Sequence, residues 1–211
     1  VSLPPGLAIA WFSERTSIPG KGFIYFIMGV GLLIPGIYTA MGWTFLAHPR
    51  IGWLNLLLKD YLGLEGSVFN VGTPLGMGFV QGLNLVPLAF VMCSQMFRAM
   101  NRSLEEASTI HGLSFGQTIR HITLPLAKPA IIATCIYIFT IGFAAFDIPA
   151  IIGLGNRVYL LSTYIYILTN VPDGAPDYGI TAAVGSFMVV IALAATWWYS
   201  RVLSQTHLYQ T

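Results

Sequence analysis

Four apolar stretches divide this sequence, at about 23–47, 73–97, 129–152 and 179–200, and each is long enough to cross a lipid bilayer. A membrane-crossing helix needs about 20 apolar residues. Inside lipid the backbone must satisfy its own hydrogen bonds, so such stretches read as helices. The expected fold class is all-α, a polytopic transmembrane helix bundle forming a single domain over 1–211. Residues 1–12, VSLPPGLAIAWF, are apolar but too short to span. They read as the end of a span that begins upstream, so the expectation is a fragment with four whole spans and a truncated first one. Composition agrees, with 55% hydrophobic and 9% charged residues and a mean hydropathy of +0.73, against about 25% charged in soluble domains.

Local signals refine the stretches. Pro35-Gly36 interrupts the first, and Gly29, Gly31 and Gly36 permit close helix approach. Pro74 opens the second, and Pro87 bends it. Trp53, Leu54, Leu57, Leu58 and Tyr61 give the polar-flanked segment 48–72 a helical apolar stripe suited to a membrane surface. A second outer segment, 153–178, carries an amphipathic piece at 159–168 and a turn-rich run at 172–177. Cys93 and Cys135 lie in apolar stretches and read as packing residues. Seven cations (Arg15, Lys21, Arg98, Arg102, Arg120, Lys128, Arg201) fall on one side and three (Arg50, Lys59, Arg157) on the other. The cation-rich side is the cytoplasmic one. The net charge of +2 is dispersed, with no basic stripe for nucleic acid.

The longest polar interruption is Asn101–Pro129, NRSLEEASTIHGLSFGQTIRHITLPLAKP. Ser103 with Glu106, and Ser114 with Gln117, have capping-box spacing. Gly112 sits where a helix stops on a residue tolerant of positive φ. A short helix over about 115–122 would place Phe115, Ile119 and Ile122 on one apolar face. Pro125 should push Leu124 out of helical geometry into an extended exit, and Pro129 should open the next helix.

On these residues the chain resembles a known family. Glu106-Ala107-Ser108, three residues, Gly112, nine residues and Ile122-Thr123-Leu124-Pro125 resemble the EAA loop of ABC importer permeases, E-A-A-x3-G-x9-I-x-L-P, with Ser108 the one departure. HPRIGWLN at 48–55, SLEEAS at 103–108, FDIPAIIG at 146–153, and LSTYIYI with DYG within 161–179 resemble the ferric-iron importer branch. The resemblance implies the permease fold and a cytoplasmic coupling loop at 98–128 that docks in a groove of a separate ATP-binding subunit. It implies that Glu106, Ala107 and Gly112 shape the first helix and its turn. Phe115, Ile119 and Ile122 would belong to the docked element, and Leu124 and Pro125 would set the exit angle. A good cap and a good stop are the alternative account of Ser103, Glu106 and Gly112, and capping and docking are compatible. The resemblance further implies an extracytoplasmic solute-binding protein, a second permease half or subunit, the bacterial inner membrane, and ferric iron as cargo. Thiamine, polyamine, phosphonate or inorganic-anion transport by the same machinery remains open, and the tail HLYQT resembles the start of a linker between fused halves.

No catalytic or metal centre is expected, and no cofactor. His48, His111, His121 and His207 are scattered, without partners at zinc-ligand spacing, and no phosphate-binding Gly loop exists. The chain is therefore read as a transport subunit and not an enzyme, with ATP hydrolysed by its partner. A secondary carrier or channel is the rival. Gln81, Asn84 and Pro87 recur every three residues and would share a helix face. That face suits a substrate path or interhelical hydrogen bonds. Asp147 is the third substrate-path candidate, or else an interface carboxylate that caps nearby backbone.

Overall fold

Proline and glycine punctuate the chain, and most helices begin or end at them. The computed structural model describes residues 1–63, 66–171 and 174–206, with side chains described to residue 202. Pro172 and Asp173 of the turn-rich run, and the HLYQT tail at 207–211, lie outside the described residues. Eleven α-helices follow in order among the described residues: α1 (Leu3–Arg15), α2 (Lys21–Leu33), α3 (Gly36–Ala47), α4 (Trp53–Leu62), α5 (Pro74–Asn84), α6 (Val86–Ala99), α7 (Ser103–Ile110), α8 (Phe115–Thr118), α9 (Leu124–Ala144), α10 (Leu161–Thr169) and α11 (Tyr178–Thr206). Two π-helical turns, Ile119–Thr123 and Pro149–Gly153, complete the set. The all-α expectation holds.

Phe115–Ala144 and Tyr178–Val202 are long and apolar enough to cross a membrane. The pairs α2–α3 and α5–α6 would each qualify if a bent pair counts as one span. Their breaks fall at Pro35 and at Leu85, two residues before Pro87, as the prolines require. The helix at Pro74 is opened by Thr73, whose hydroxyl accepts from the Gly76 N–H at 3.0 Å. The break at Leu85 corrects one expectation. Gln81 and Asn84 lie in α5 whereas Pro87 lies in α6, so the three do not share one helix face.

The third stretch also differs from expectation. Its helix ends at Ala144, and Asp147 and Pro149 stand beyond it. The last turn tightens, with the Ala145 N–H bonded to Gly142 O at 3.3 Å. The Ser162 hydroxyl donates to the Ala145 carbonyl at 2.9 Å, so the end is satisfied without further helix.

Two compact units emerge. The first comprises Val1, Gly31–Leu85 and Ile141–Leu193. Its core is Ala40, Ala47, Val71, Met77, Val80, Ile148 and Ile152, with Trp43 and Leu54 against it. Buried Asn55 staples its loop, donating to His48 O (3.1 Å) and Phe69 O (2.7 Å) and accepting from the Phe69 N–H (2.9 Å). The second comprises Ser2–Val30, Val86–Thr140 and Ala194–Thr211. Here α1 packs along α6 through Ala10, Phe90, Cys93 and Phe97.

Gly6 makes that packing possible. A Cβ there would meet Ala89 Cβ at 2.5 Å and Phe90 N at 3.0 Å. Close backbone approach through small residues is how helices associate where lipid replaces water. Gly6→Ala should therefore destabilise the protein by about 1–3 kcal/mol. Gly29→Ala, in a helix with nothing within 4 Å of the new Cβ, should be neutral or stabilising. Thermal denaturation of the two variants in detergent checks the contrast.

Candidate functional site

The candidate site is the elbow formed by residues 98–128 and the end of α1, all within the second unit. Its first arm, α7, starts one residue earlier than its sequence suggests. Asn101 Oδ1 accepts from the Ser103 N–H at 3.0 Å. Ser103 is thus the first helical residue and not a cap, and the Ser103–Glu106 box does not form. The physical reason is the stronger local competition of Asn101, two residues upstream. At the other end α7 stops where expected, with Gly112 at φ +81°. A Cβ is disfavoured in that left-handed conformation. The second arm opens on Ser114, whose N–H bonds Gln117 Oε1 at 2.8 Å.

The exit from the elbow is helical, not extended. Leu124 has φ −68° and ψ −44°, and its N–H reaches back five residues to Ile119 O. The helix then runs through Pro125 and Pro129 without a break to Ala144. Proline in an α-helix removes a hydrogen bond and crowds the preceding turn. The wider π-turn Ile119–Thr123 sits directly ahead of Pro125 and supplies the slack.

That turn also changes which face looks inward. Thr118 and Thr123 are buried, whereas Phe115 is 65% exposed and Ile119 and Ile122 are half-buried. The π-turn adds a residue between the two threonines, so the apolar stripe predicted at α-helical spacing is not the buried face. The hydroxyls are drawn inward by α7. Ser108 Oγ and Thr118 Oγ1 are 2.7 Å apart, and Thr123 Oγ1 donates to Glu105 Oε1 at 2.8 Å. Glu106 and Ala107 are exposed, as are Leu124 and Pro125. Glu106, Phe115 and Ile119 border a cavity of about 240 Å³.

The end of α1 is tied to α2, α6 and α7. The Glu14 carboxylate accepts from Lys21 Nζ (2.9 Å), Arg98 Nε (3.0 Å) and the Tyr25 hydroxyl. Arg102 donates to the Glu14 carbonyl. Burial alone would raise the carboxyl's pKa, but the hydrogen bonds from Tyr25, Lys21 and Arg98 outweigh it and lower the value from the usual 4.5 to about 2. Next to it, Arg15 Nη2 donates to Met100 O at 3.2 Å, and Nη1 lies 3.6 Å from Glu105 Oε2. Trp11 meets Phe115 edge-on, with centroids 5.5 Å apart.

The elbow residues that make these contacts are Arg15, Glu105, Ser108, Thr118 and Thr123, none of which the sequence singled out as a site. Thr118 and Thr123 are five apart, a spacing with no α-helical meaning, so no periodicity marks them. Ser108 was noticed only as the departure from the motif.

The substrate-path candidates lie in the first unit. Asn84 Oδ1 accepts from Thr39 Oγ1 at 3.0 Å, the interhelical bond that was one of its two readings. Asn84 and Asp147 converge on Gly36 at the start of α3, where a Cβ would stand 3.1 Å from Asp147 Oδ2 and 3.7 Å from Asn84 Nδ2. Gln81 lies apart from them, against Gly142.

Residues 3–205 match the family described as "Binding-protein-dependent transport system inner membrane component". The chain belongs to this family. Among its curated relatives, a ferric transport system permease protein FbpB of Actinobacillus pleuropneumoniae is 27% identical over 197 residues, covering 92% of this chain and 27% of the relative. Maltose/maltodextrin transport system permease protein MalF of Vibrio vulnificus is 24% identical, covering 92% and 40%. Molybdenum transport system permease protein ModB of Escherichia coli K12 is 22% identical, covering 95% and 86%. The chain thus spans less than a third of the length of the ferric relative. It shares the fold of a solved bacterial alginate ABC transporter in complex with alginate pentasaccharide-bound periplasmic protein (TM-score 0.71, 21% identity, 93% of this chain and 70% of that one). It also shares that of the MetNI methionine ABC transporter in an inward-facing conformation (TM-score 0.68, 15% identity, 98% and 86%). The π-turn lies inside the family's matched region, so the elbow is built from family sequence throughout.

Two outcomes follow from this geometry. Glu14 stabilises the fold while it is charged. A depressed carboxyl pKa contributes fully above the unfolded value of 4.5, and the contribution disappears as pH falls toward 2. Glu14→Gln should therefore cost up to about 3 kcal/mol at neutral pH. The gap in melting temperature between wild type and variant should close as pH drops from 4.5 toward 2. Separately, Ser108→Ala and Thr118→Val should each cost about 1–2 kcal/mol, and their double mutant less than the sum, because both remove one buried contact. Denaturation of the three variants measures the coupling.

Proposed function

We propose that this chain is the membrane-spanning subunit of an ATP-driven importer of the bacterial inner membrane, forming one permease domain over 1–211 with 98–128 as its cytoplasmic coupling loop. It hydrolyses nothing itself. A cytoplasmic ATP-binding subunit grips the elbow, an extracytoplasmic binding protein delivers the cargo, and a second permease half or subunit completes the pore within membrane lipid. What supports this reading is the unbroken helix from Phe115 to Ala144, which joins the second arm of the elbow directly to a membrane-length helix. A push on Phe115, Ile119 or Ile122 needs no flexible joint to reach the bilayer. Gly112 turns the first arm, where Glu106 and Ala107 present an exposed face, and Leu124 and Pro125 carry the helix out of the elbow.

Ferric iron is the proposed cargo, favoured by the ferric transport permeases among the relatives. Gln81, Asn84 and Asp147 are the proposed path residues, of which Asn84 and Asp147 stand together at Gly36. The relatives named for maltose and molybdenum set the controls.

Gly112→Pro or Ile119→Asp should leave membrane insertion intact and abolish recovery of the ATP-binding subunit with the tagged chain. Uptake of radioactive ferric iron by cells should fall at least tenfold, the size of a modest coupling free energy. Uptake of labelled maltose or molybdate in place of iron would replace the proposed cargo. Normal uptake in both variants would remove the elbow from the mechanism.

A further inference from the structure

The last turn of α1 holds the elbow by a contact that stops short of completion. The Arg15 side chain is 4% exposed. Only its Nη2 makes a full hydrogen bond, to Met100 O. Nε and Nη1 have no hydrogen-bond partner, and Nη1 stands 3.6 Å from Glu105 Oε2, beyond hydrogen-bond reach. Glu14, the nearest other carboxylate in sequence, is already engaged by Lys21, Arg98 and Tyr25. A buried guanidinium left short of acceptors is costly, and charge-assisted bonds are the strong ones. An approach of about 0.7 Å by Glu105 would bring the pair to the usual length of such a bond. The cavity bordered by Trp11, Arg15, Glu105 and Phe115 leaves room beside them.

Glu105 does not move alone. Its other oxygen accepts from Thr123 in the π-turn, and Phe115 of the second arm rests on Trp11. Both arms of the elbow thus meet one turn of α1. That helix is locked on α6 through Gly6 and Ala10.

We infer that Arg15 is a positioning residue with two settings, the open one seen here and a closed one bonded to Glu105, and that it passes movement of the elbow to the α1–α6 pair. This inference rests on the proposed docking of an ATP-binding subunit at the elbow. It gives the permease a second output from the same input. Besides the direct lever from Phe115 to Ala144, the elbow pulls on α1.

The test uses the chain assembled with its ATP-binding subunit in nanodiscs. Cys135→Ser leaves Cys93 as the sole thiol within these 211 residues, and its labelling is read on its own peptide. Cys93 is fully buried in α6 against the α1 pair, so it reports whether those helices shift. Maleimide labelling of Cys93 is followed with and without ATP and vanadate. In the parent the labelling rate should change about fivefold or more with nucleotide, the low end of ordinary allosteric coupling. Arg15→Met and Glu105→Gln should flatten that response while the ATP-binding subunit still co-purifies and the nucleotide-free melting temperature holds. Arg15→Lys, which keeps the charge, should restore part of it. An Arg15→Met complex that responds like the parent overturns the inference, as does a parent that docks its ATP-binding subunit but labels identically in both states. Loss of melting temperature in step with loss of response would assign Arg15 a purely structural role and overturn it too. A parent chain that never retains the ATP-binding subunit sinks the proposed function, and this inference with it.

Discussion

Continuity of the helical backbone from Phe115 to Ala144 is the constraint on which the rest of the molecule depends. Two prolines sit in that run, and each removes an amide hydrogen. Each also crowds the turn before it, which bends or breaks a regular α-helix. The π-turn at Ile119–Thr123 resolves the conflict before the chain reaches Pro125, by trading one regular turn for a wider one. The trade costs regularity but keeps a rigid rod where a hinge would otherwise fall. A rod can transmit a displacement, whereas an extended linker would absorb it.

The same turn accounts for the chemistry around the elbow. By shifting the register it brings Thr118 and Thr123 inward, where Ser108 and Glu105 of α7 meet them. Ser108 replaces an alanine of the family pattern, and its hydroxyl has a partner in the buried seam. The departure from the motif is thus matched elsewhere in the same chain. Around it, the cations at the base of α1 and α6 are organised by one carboxylate, Glu14, which ties Lys21, Tyr25 and Arg98 together. The two compact units share little of this polarity. The first is held by apolar packing around Met77, Val80, Ile148 and Ile152, and its polar cluster at Gly36, Asn84 and Asp147 is small.

Much of this is legible in the sequence. The spans announce themselves by length and apolar content, because no other structure hides so long a run of backbone. Pro35, Pro74 and Pro87 located the breaks to within two residues, since a missing N–H acts locally. Gly112 identified its own positive φ. Local rules failed where two of them competed. Asn101 took the Ser103 N–H, so that Ser103 entered the helix instead of capping it, and the α preference of a membrane-length helix overrode the pre-proline preference at Leu124. The stripe Phe115, Ile119 and Ile122 was counted at α-helical pitch, and the π-turn puts the buried face on Thr118 and Thr123 instead.

What the sequence alone determined is the class of molecule, the approximate extent of its long apolar helices, and the place of the elbow, all of which follow from short-range sterics and solvent preference. Which side chains the elbow turns inward, and that Arg15 and Glu14 belong to it, was decided only by tertiary structure. Those contacts join residues 84 or more positions apart, or depend on one extra residue per turn. Neither leaves a pattern along the chain, because a contact made in space carries no fixed spacing in sequence.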